Sequence, residues 1–234
     1  MRKSLPVFAL LLCLLTVSLC ACQKPAAETP KGPSVRLRVE GISELLAFDP
    51  EYPLTAELSA LDLVCALLDS RDIPYTAEYG YLVSVGHDNA GAFGGFDGFV
   101  FYVNGEESLE APGSLIPKEG DELLFCYADL NGEPPTLWPK VEATRGADGL
   151  VTLLVSGGRM TFVGEQTGME YAPVAGAEVT VNEVLYHTDA AGKLVLDAEL
   201  SRRAQVSLQV ELYTEDGRPL LIRLAPDYLL DLPQ

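Results

Sequence analysis

Residues 87–98 hold the densest group of side chains that could contact a ligand. This segment also has four glycines, which allow close approach to the backbone. The candidate contacts are His87, Asp88, Asn89, Phe93 and Phe96. An alternative interpretation is a flexible hairpin loop with two partly covered aromatic side chains. At the level of sequence both interpretations stay open.

Outside this segment, the sequence has few of the residues and motifs that metal sites and catalytic sites require. The only two histidines, His87 and His187, fall in different predicted domains, so no paired-histidine metal site is expected. The sequence has no nucleophile elbow, phosphate-binding loop, dinucleotide fingerprint or calcium loop. We therefore predict a protein without catalytic residues, metal or cofactor.

The charge balance excludes a further class of partner. There are 34 Asp and Glu against 16 Lys and Arg, a net charge of −18, which repels nucleic acids. The hydrophobic fraction of 48% is ample for packed cores. The acidic residues are scattered along the chain, which is typical of a solvated surface. These features predict a folded protein with no nucleic-acid partner.

The N-terminus has the pattern of a secretory signal, predicted over residues 1–21. Arg2 and Lys3 precede an apolar run, residues 5–15, that is too short to span a bilayer comfortably. The ending Leu-Cys-Ala-Cys resembles a bacterial lipobox, which implies cleavage before Cys22 and lipidation of its thiol. The chain would then be anchored to the outer face of the cytoplasmic membrane, with residues 22–34 as an extended tether. An ordinary cleaved signal and an uncleaved anchor are the alternatives.

The clearest helix pattern covers residues 59–71. Ser59 and Asp62 fit a capping box, and Leu58 and Leu63 fit a hydrophobic staple. The apolar face is predicted to consist of Leu61, Cys65 and Leu68.

Strand patterns surround this helix. Residues 35–39 alternate apolar and polar, as expected of a half-buried strand, and Asn104-Gly105 is a strong hairpin signal. Further strands are predicted over residues 79–85, 99–103 and 123–127. The pattern predicts an α+β domain over residues 35–129, with one helix on a mixed sheet.

Residues 98–105, Gly-Phe-Val-Phe-Tyr-Val-Asn-Gly, and the Gly-Asp turn in residues 116–122 resemble a known bacterial domain family. It is related to the C-terminal β-domain of transcobalamin and intrinsic factor, although Phe99 stands where that family usually has Trp. The resemblance implies a β-grasp-like fold and adds Phe99, Tyr102 and Asn104 to the binding candidates. In the vitamin carriers this domain closes over a corrinoid held against a separate helical barrel. Because this chain has no such barrel, a corrinoid ligand would need a partner subunit, or would make only a much weaker one-sided contact.

A Gly- and Pro-rich linker is predicted over residues 130–140, with Trp138 packing at the joint between two domains. Short strands at regular spacing, the last at residues 220–224, predict an all-β sandwich over residues 141–234. Residues 173–181 and the Thr-Asp-Ala-Ala-Gly turn at 188–192 resemble the prealbumin-like domains of bacterial surface proteins, including carboxypeptidase regulatory-like and collagen-adhesin repeats. The resemblance implies an Ig/prealbumin-like sandwich that serves as a spacer or adhesive module.

Two cysteines remain in the predicted folded part. Cys65 lies on the predicted apolar face of the helix and Cys126 in the last strand of the first domain, so the two could face each other. A disulfide is compatible with a location outside the membrane. Two buried thiols are the alternative, because a domain of this size has a sufficient core without a bridge. The sequence leaves both open.

These features together predict a non-catalytic cell-surface lipoprotein that acts as a ligand-binding module. A corrinoid, bound together with a partner, is the ligand that the resemblance implies. The alternative is a structural or adhesive spacer that binds a protein or glycan partner.

Overall fold

The computed structural model describes residues 32–55, 57–163 and 166–234, with the backbone alone for residues 162, 163, 166 and 167. The predicted signal peptide, the lipid acceptor Cys22 and most of the tether lie outside the described residues. Pro33–Gln234 form one compact unit. No helix in the described ranges is long and apolar enough to cross a membrane.

The fold is mostly β, with 47% of the described residues in strands and 7% helical, which confirms the predicted predominance of strands. The described residues contain a single α-helix, early in the chain. The elements up to residue 128 are β1 (Ser34–Glu40), β2 (Leu45–Pro53), α1 (Ala60–Asp69), β3 (Tyr75–Glu78), β4 (Tyr81–Val85), β5 (Asp88–Asn89), β6 (Gly98–Val103), β7 (Glu106–Glu107) and β8 (Glu122–Ala128).

These strands form two sheets in the described part of the chain. The central sheet has the order β2-β1-β8-β6-β7, in which β1 and β8 are parallel and the other neighbours antiparallel. The small sheet has the order β3-β4-β5. The mixed sheet and the hairpin at Asn104-Gly105 agree with the sequence prediction.

Helix α1 begins where its capping residues predict. The Ser59 hydroxyl accepts a hydrogen bond from the Asp62 amide at 3.1 Å, and the Asp62 carboxylate accepts one from the Ser59 amide at 2.9 Å. This confirms the predicted capping box. The prediction of the apolar face is wrong for Leu61 and Cys65. Both lie at the flank of the buried face and are only partly buried. The residues that α1 buries are Ala60, Leu63, Val64, Leu67 and Leu68, which form a broader stripe at i, i+3, i+4, i+7 and i+8.

The second part of the chain is built from strands and one short 3-10 helix among its described residues. They are β9 (Trp138–Arg145), β10 (Val151–Val163), β11 (Gln166–Pro173), β12 (Glu178–Val181), β13 (Val184–His187), β14 (Lys193–Val195), the 3-10 helix (Leu200–Arg202), β15 (Gln205–Glu211) and β16 (Leu229–Asp231).

Two C-terminal sheets are formed by these strands. One has the order β11-β10-β14, with β9 also paired to β10, and the other has the order β13-β12-β15-β16. Both contribute to one apolar core, for example through Leu153 from β10 and Leu208 from β15. This arrangement is consistent with the predicted β-sandwich.

The central sheet is covered on both faces. Leu37, Phe101 and Phe125 pack with α1 in one apolar cluster, whereas Tyr102, Leu124 and Cys126 form another with Ile222 from the second part of the chain. The prediction that β1 is half-buried is therefore wrong. Its polar residues Arg38 and Glu40 are only 3% and 2% exposed, because the second part of the chain covers them.

The segment that covers this face does not form the strand predicted at residues 220–224. It makes an isolated bridge with Leu137, whose amide donates to the Leu220 carbonyl at 2.9 Å and whose carbonyl accepts from the Ile222 amide at 3.0 Å. Next to it, Trp138 packs against Tyr102 with their ring centroids 4.9 Å apart. Trp138 therefore packs, as predicted, where the second part of the chain meets the central sheet, although it already belongs to β9. We call this region, around Tyr102, Trp138 and Ile222, the joint.

Replacing Ser59 by Ala tests the origin of α1. Because the capping box satisfies two otherwise unpaired groups at the helix start, Ser59→Ala should lower the free energy of unfolding by about 1 kcal/mol. Urea denaturation followed by circular dichroism measures this loss. The exposed serine Ser114, replaced by Ala, is the matched control. An equal loss in both variants would contradict the role of the cap.

Candidate functional site

The buried carboxylate of Asp97 holds the loop formed by residues 87–98 (loop 87–98). It accepts hydrogen bonds from the amides of Phe93 at 3.1 Å and Gly95 at 3.0 Å, and it contacts the hydroxyl of Tyr127. Burial acts to raise the pKa of Asp97, but these hydrogen bonds outweigh it and hold that pKa below its usual value. An ionised Asp97 is thus the anchor of the loop.

Tyr127, in β8, is the second anchor. Its hydroxyl lies 2.9 Å from the Asn89 carbonyl and accepts a hydrogen bond from the Ala92 amide at 3.2 Å. Its ring packs edge-on against Phe93 and Phe99, with centroids 6.2 and 5.5 Å away. Burial, followed by the hydrogen bond to Asp97, raises the pKa of Tyr127, so the hydroxyl stays protonated. The loop is therefore tied to the sheet along much of its length.

The five predicted contact residues of the loop have different surroundings. Phe96 is 91% exposed, and His87 and Asn89 are also exposed. Phe93 is half-buried against Tyr127. Asp88 accepts a hydrogen bond from the Ile42 amide at 2.8 Å, which ties the loop to the β1–β2 turn. Phe96 and His87 are thus the side chains best placed to contact a ligand.

The three candidates from the hairpin make contacts within the fold. Phe99 is partly buried and touches Tyr127, whereas Tyr102 is buried on the opposite side of the sheet against Trp138. Asn104 occupies the turn with φ 53°, and its side chain bonds Asp121 at 2.9 Å and the Glu122 amide at 2.8 Å. The structure therefore brings Phe99 to the anchor of the loop and places Tyr102 and Asn104 in supporting positions.

Cys65 and Cys126 are free thiols in the structure. Cys126 points to the face of the central sheet that meets Ile222, and Cys65 packs at the edge of the cluster around α1. They lie on opposite faces of the sheet, so the bridge that the sequence left open is not formed. Burial raises the pKa of both thiols.

A cluster of buried charges that the sequence reading missed lies at the joint. Arg38 and Glu40 form an ion pair at 3.3 Å, and the Arg223 amide lies 3.3 Å from the same carboxylate. The Arg223 guanidinium donates to Glu211 at 2.8 Å and to the carbonyls of Gly41 and Ile42 at 3.1 and 3.2 Å. The sequence indicates this cluster only through Arg223, which is the one charged residue in the otherwise apolar run of residues 220–225.

A cleft of about 250 Å³ opens beside this cluster. Its lining includes Glu40, Glu44, Leu45, Glu211 and Arg223. Burial raises the pKa of Glu40 to about 7, against the opposing effect of Arg38 and Arg223. A near-neutral pKa occurs both in proton-transfer sites and in structural ion pairs. The contacts of Glu40, a guanidinium and a main-chain amide, are those of a structural ion pair. Among the described residues, no three His, Cys, Asp or Glu side chains are grouped to hold a metal ion.

Replacing Asp97 by Asn tests the anchor of the loop. Loss of the charged acceptor should cost about 1–3 kcal/mol and speed amide hydrogen exchange at Phe93 and Gly95. Because the folded-state pKa of Asp97 lies below 3.8, its contribution is present above that pH and is lost as the pH falls through the folded value. Urea denaturation at several pH values, with the exposed Glu170→Gln as control, measures both effects. A gap between wild type and Asp97→Asn that grows in acid would contradict the assignment.

Replacing Glu40 by Gln tests the titration at the joint. The folded-state pKa of about 7 lies above the ordinary 4.5, so this group stabilises the fold most below pH 4.5 and loses that contribution as the pH rises to 7. The stability of the wild type relative to Glu40→Gln should fall by up to about 3 kcal/mol over this interval and then stay constant. Glu44→Gln, which alters an exposed carboxylate in the same cleft, is the matched control. A pH-independent difference for Glu40→Gln would refute a raised pKa.

Comparison with known proteins found no match, whether with protein-family models, with curated proteins or with solved structures.

Proposed function

We propose that this chain is a non-catalytic binding module of a bacterial cell surface, anchored through a lipid on Cys22, which contacts its ligand through loop 87–98. The observation that carries the proposal is an anchored loop that leaves Phe96 91% exposed. A large aromatic side chain on an ordered loop contributes contact area to a ligand at low cost in conformational entropy.

The residues of the loop divide into two roles under this proposal. Phe96 and His87 contact the ligand directly. Asp97 and Tyr127 act as positioning residues, because their hydrogen bonds fix the backbone on either side of Phe93. The glycines at 94 and 95 flank Phe96 on one side and leave its ring accessible.

The ligand class that we propose is a corrinoid held together with a partner. The Tyr-Val-Asn-Gly hairpin and the Gly-Asp turn support it, because they resemble the domain that covers the corrinoid in vitamin carriers. Loop 87–98 offers an exposed aromatic face and no enclosing wall, so a partner would supply the other side of the site. A broad ring system is a suitable surface for Phe96 to pack against.

Titration of the full chain in nonionic detergent with cobalamin and with cobinamide tests this proposal. We expect Phe96→Ser to weaken binding about fivefold or more, because truncating a central aromatic contact commonly costs over 1 kcal/mol. Leu185→Ser removes another exposed apolar side chain, distant in sequence, and should leave the affinity unchanged. Isothermal calorimetry measures the dissociation constants of the wild type and of both variants. Even a one-sided contact with the corrinoid, made without the partner, should register at high micromolar concentration, so absence of binding there would rule out the corrinoid. Equal losses in both variants would rule out the loop.

A second candidate function, a rigid spacer or adhesin, is favoured by the joint. Arg36 pairs with Asp227, Arg38 donates to the Arg223 carbonyl at 3.4 Å, and Trp138 packs against Tyr102, so both polar and apolar contacts cross the joint. Such contacts suit a protein that holds a surface at a fixed distance from a membrane. If neither corrinoid binds, retention of the full chain on immobilised peptidoglycan, compared with retention of Phe96→Ser, tests adhesion through the same loop.

A further inference from the structure

The hairpin between β3 and β4 turns through an unusual residue. Glu78 pairs with Tyr81, so Tyr79 and Gly80 form a two-residue loop, with φ values of 52° and 88°. A positive φ at both positions is the geometry of a type I′ turn, which favours Asn, Asp or Gly at the first position. A bulky aromatic residue in this left-handed region is strained.

The same chain uses the favoured residue in two comparable turns. Asn104 and Gly105 join β6 to β7 with φ values of 53° and 80°, and Asn182 begins the turn between β12 and β13 with φ 45°. Tyr79 therefore occupies a turn position at which the chain has Asn in both comparable turns. Its side chain is 97% exposed, so packing within the fold does not offset the strain. A strained residue with no packing role is a candidate for recognition.

A second loop, which contains residues 109–113, lies against this turn. The Gly113 amide donates to the Gly80 carbonyl at 3.0 Å, and a Cβ atom on Gly113 would come within 2.8 Å of the Gly80 Cα, so glycine is needed for this approach. The N-terminus of α1 holds the second loop, through the Leu61 amide and the Pro112 carbonyl at 3.0 Å. This second loop also carries Leu109, which is 91% exposed. Two fixed, adjacent loops thus each present an exposed apolar side chain.

The stretch of chain that contains both loops carries carboxylates and no Lys or Arg. Residues 73–117 contain no Lys or Arg, whereas Glu78 precedes Tyr79 and Glu110 follows Leu109, both of them exposed. The face of a tyrosine ring attracts cations, and adjacent carboxylates strengthen that attraction. The surface therefore complements a positively charged group with an apolar stem, as in Lys and Arg side chains.

We propose that Tyr79 and Leu109, with Glu78 and Glu110, form a docking surface for a basic segment of a partner protein. A Lys or Arg side chain of the partner lies over the Tyr79 ring and its charge faces the two carboxylates, while Leu109 contacts the aliphatic part of the segment. The strained backbone at Tyr79 is retained because it projects the ring into solvent. This surface is separate in sequence from loop 87–98, so the inference goes beyond the proposed function.

Tyr79→Asn separates recognition from folding because the two effects have opposite signs. Asn accepts the left-handed conformation, so the variant should melt about 2–4 °C higher than the wild type. Loss of the ring should weaken binding of a fluorescent octa-arginine peptide about fivefold, measured by anisotropy with the full chain in nonionic detergent at low salt. Tyr79→Phe keeps the ring and should retain the affinity, as should Leu185→Asn, an exposed apolar residue outside the surface.

The controls make the proposal falsifiable. Equal affinity of wild type and Tyr79→Asn would overturn it, because the peptide would then bind through the general negative charge of the chain. A Tyr79→Asn variant that melts lower than the wild type would also overturn it, since Tyr79 would then support the fold. Leu109→Asn changes no charge and no strained backbone position, and it should weaken peptide binding without a change in melting temperature. Octa-glutamate should bind none of these proteins.

Discussion

The packing of the second part of the chain on the outer face of the central sheet is the constraint on which the rest of the structure depends. A sheet with a helix on one face can leave its other face in water, but here that face carries Tyr102, Leu124 and Cys126, which require a cover. Ile222 and Trp138 provide it. Because the end of β1 is then buried on both sides, its polar residues Arg38 and Glu40 must find partners inside the joint.

The charged cluster is the consequence of that requirement. Taking Arg38, Glu40 and Arg223 out of water is costly, and the cost is offset only where the charges pair and their remaining hydrogen-bonding groups are satisfied. Arg223 meets this condition through Glu211, Gly41 and Ile42, whereas the Nε atom of Arg38 is buried without a hydrogen-bond partner in the described part of the chain. Such a cluster therefore adds little net stability. It favours one geometry of the joint over others, because sliding the parts would leave charges unpaired.

The local elements of this fold could be predicted from the sequence, and the joint could not. Ser59 with Asp62 and Asn104 with Gly105 act through neighbours in the chain, so their residue types were sufficient for the helix start and the hairpin. The burial of Arg38 depends on residues almost two hundred positions away, and period-two alternation in β1 gives the same pattern whether its polar face meets water or another sheet. For the same reason loop 87–98 could be located as a loop, but the hydrogen bonds between Asp97 and the Phe93 and Gly95 amides could not.

Phe96 and Tyr79 are each more than 90% exposed, but different local structures hold them in solvent. Phe96 sits on a loop whose own polar groups are satisfied by Asp97 and Tyr127, so its exposure costs the backbone little. Tyr79 is held in a left-handed conformation that its residue type disfavours, in a turn that contacts the second loop through Gly80 and Gly113. Neither arrangement is explained by packing, because both rings lie almost wholly in solvent. Stability alone would favour a polar residue at each position. This difference between what folding needs and what the chain contains is the physical reason why we propose that both rings bind a partner.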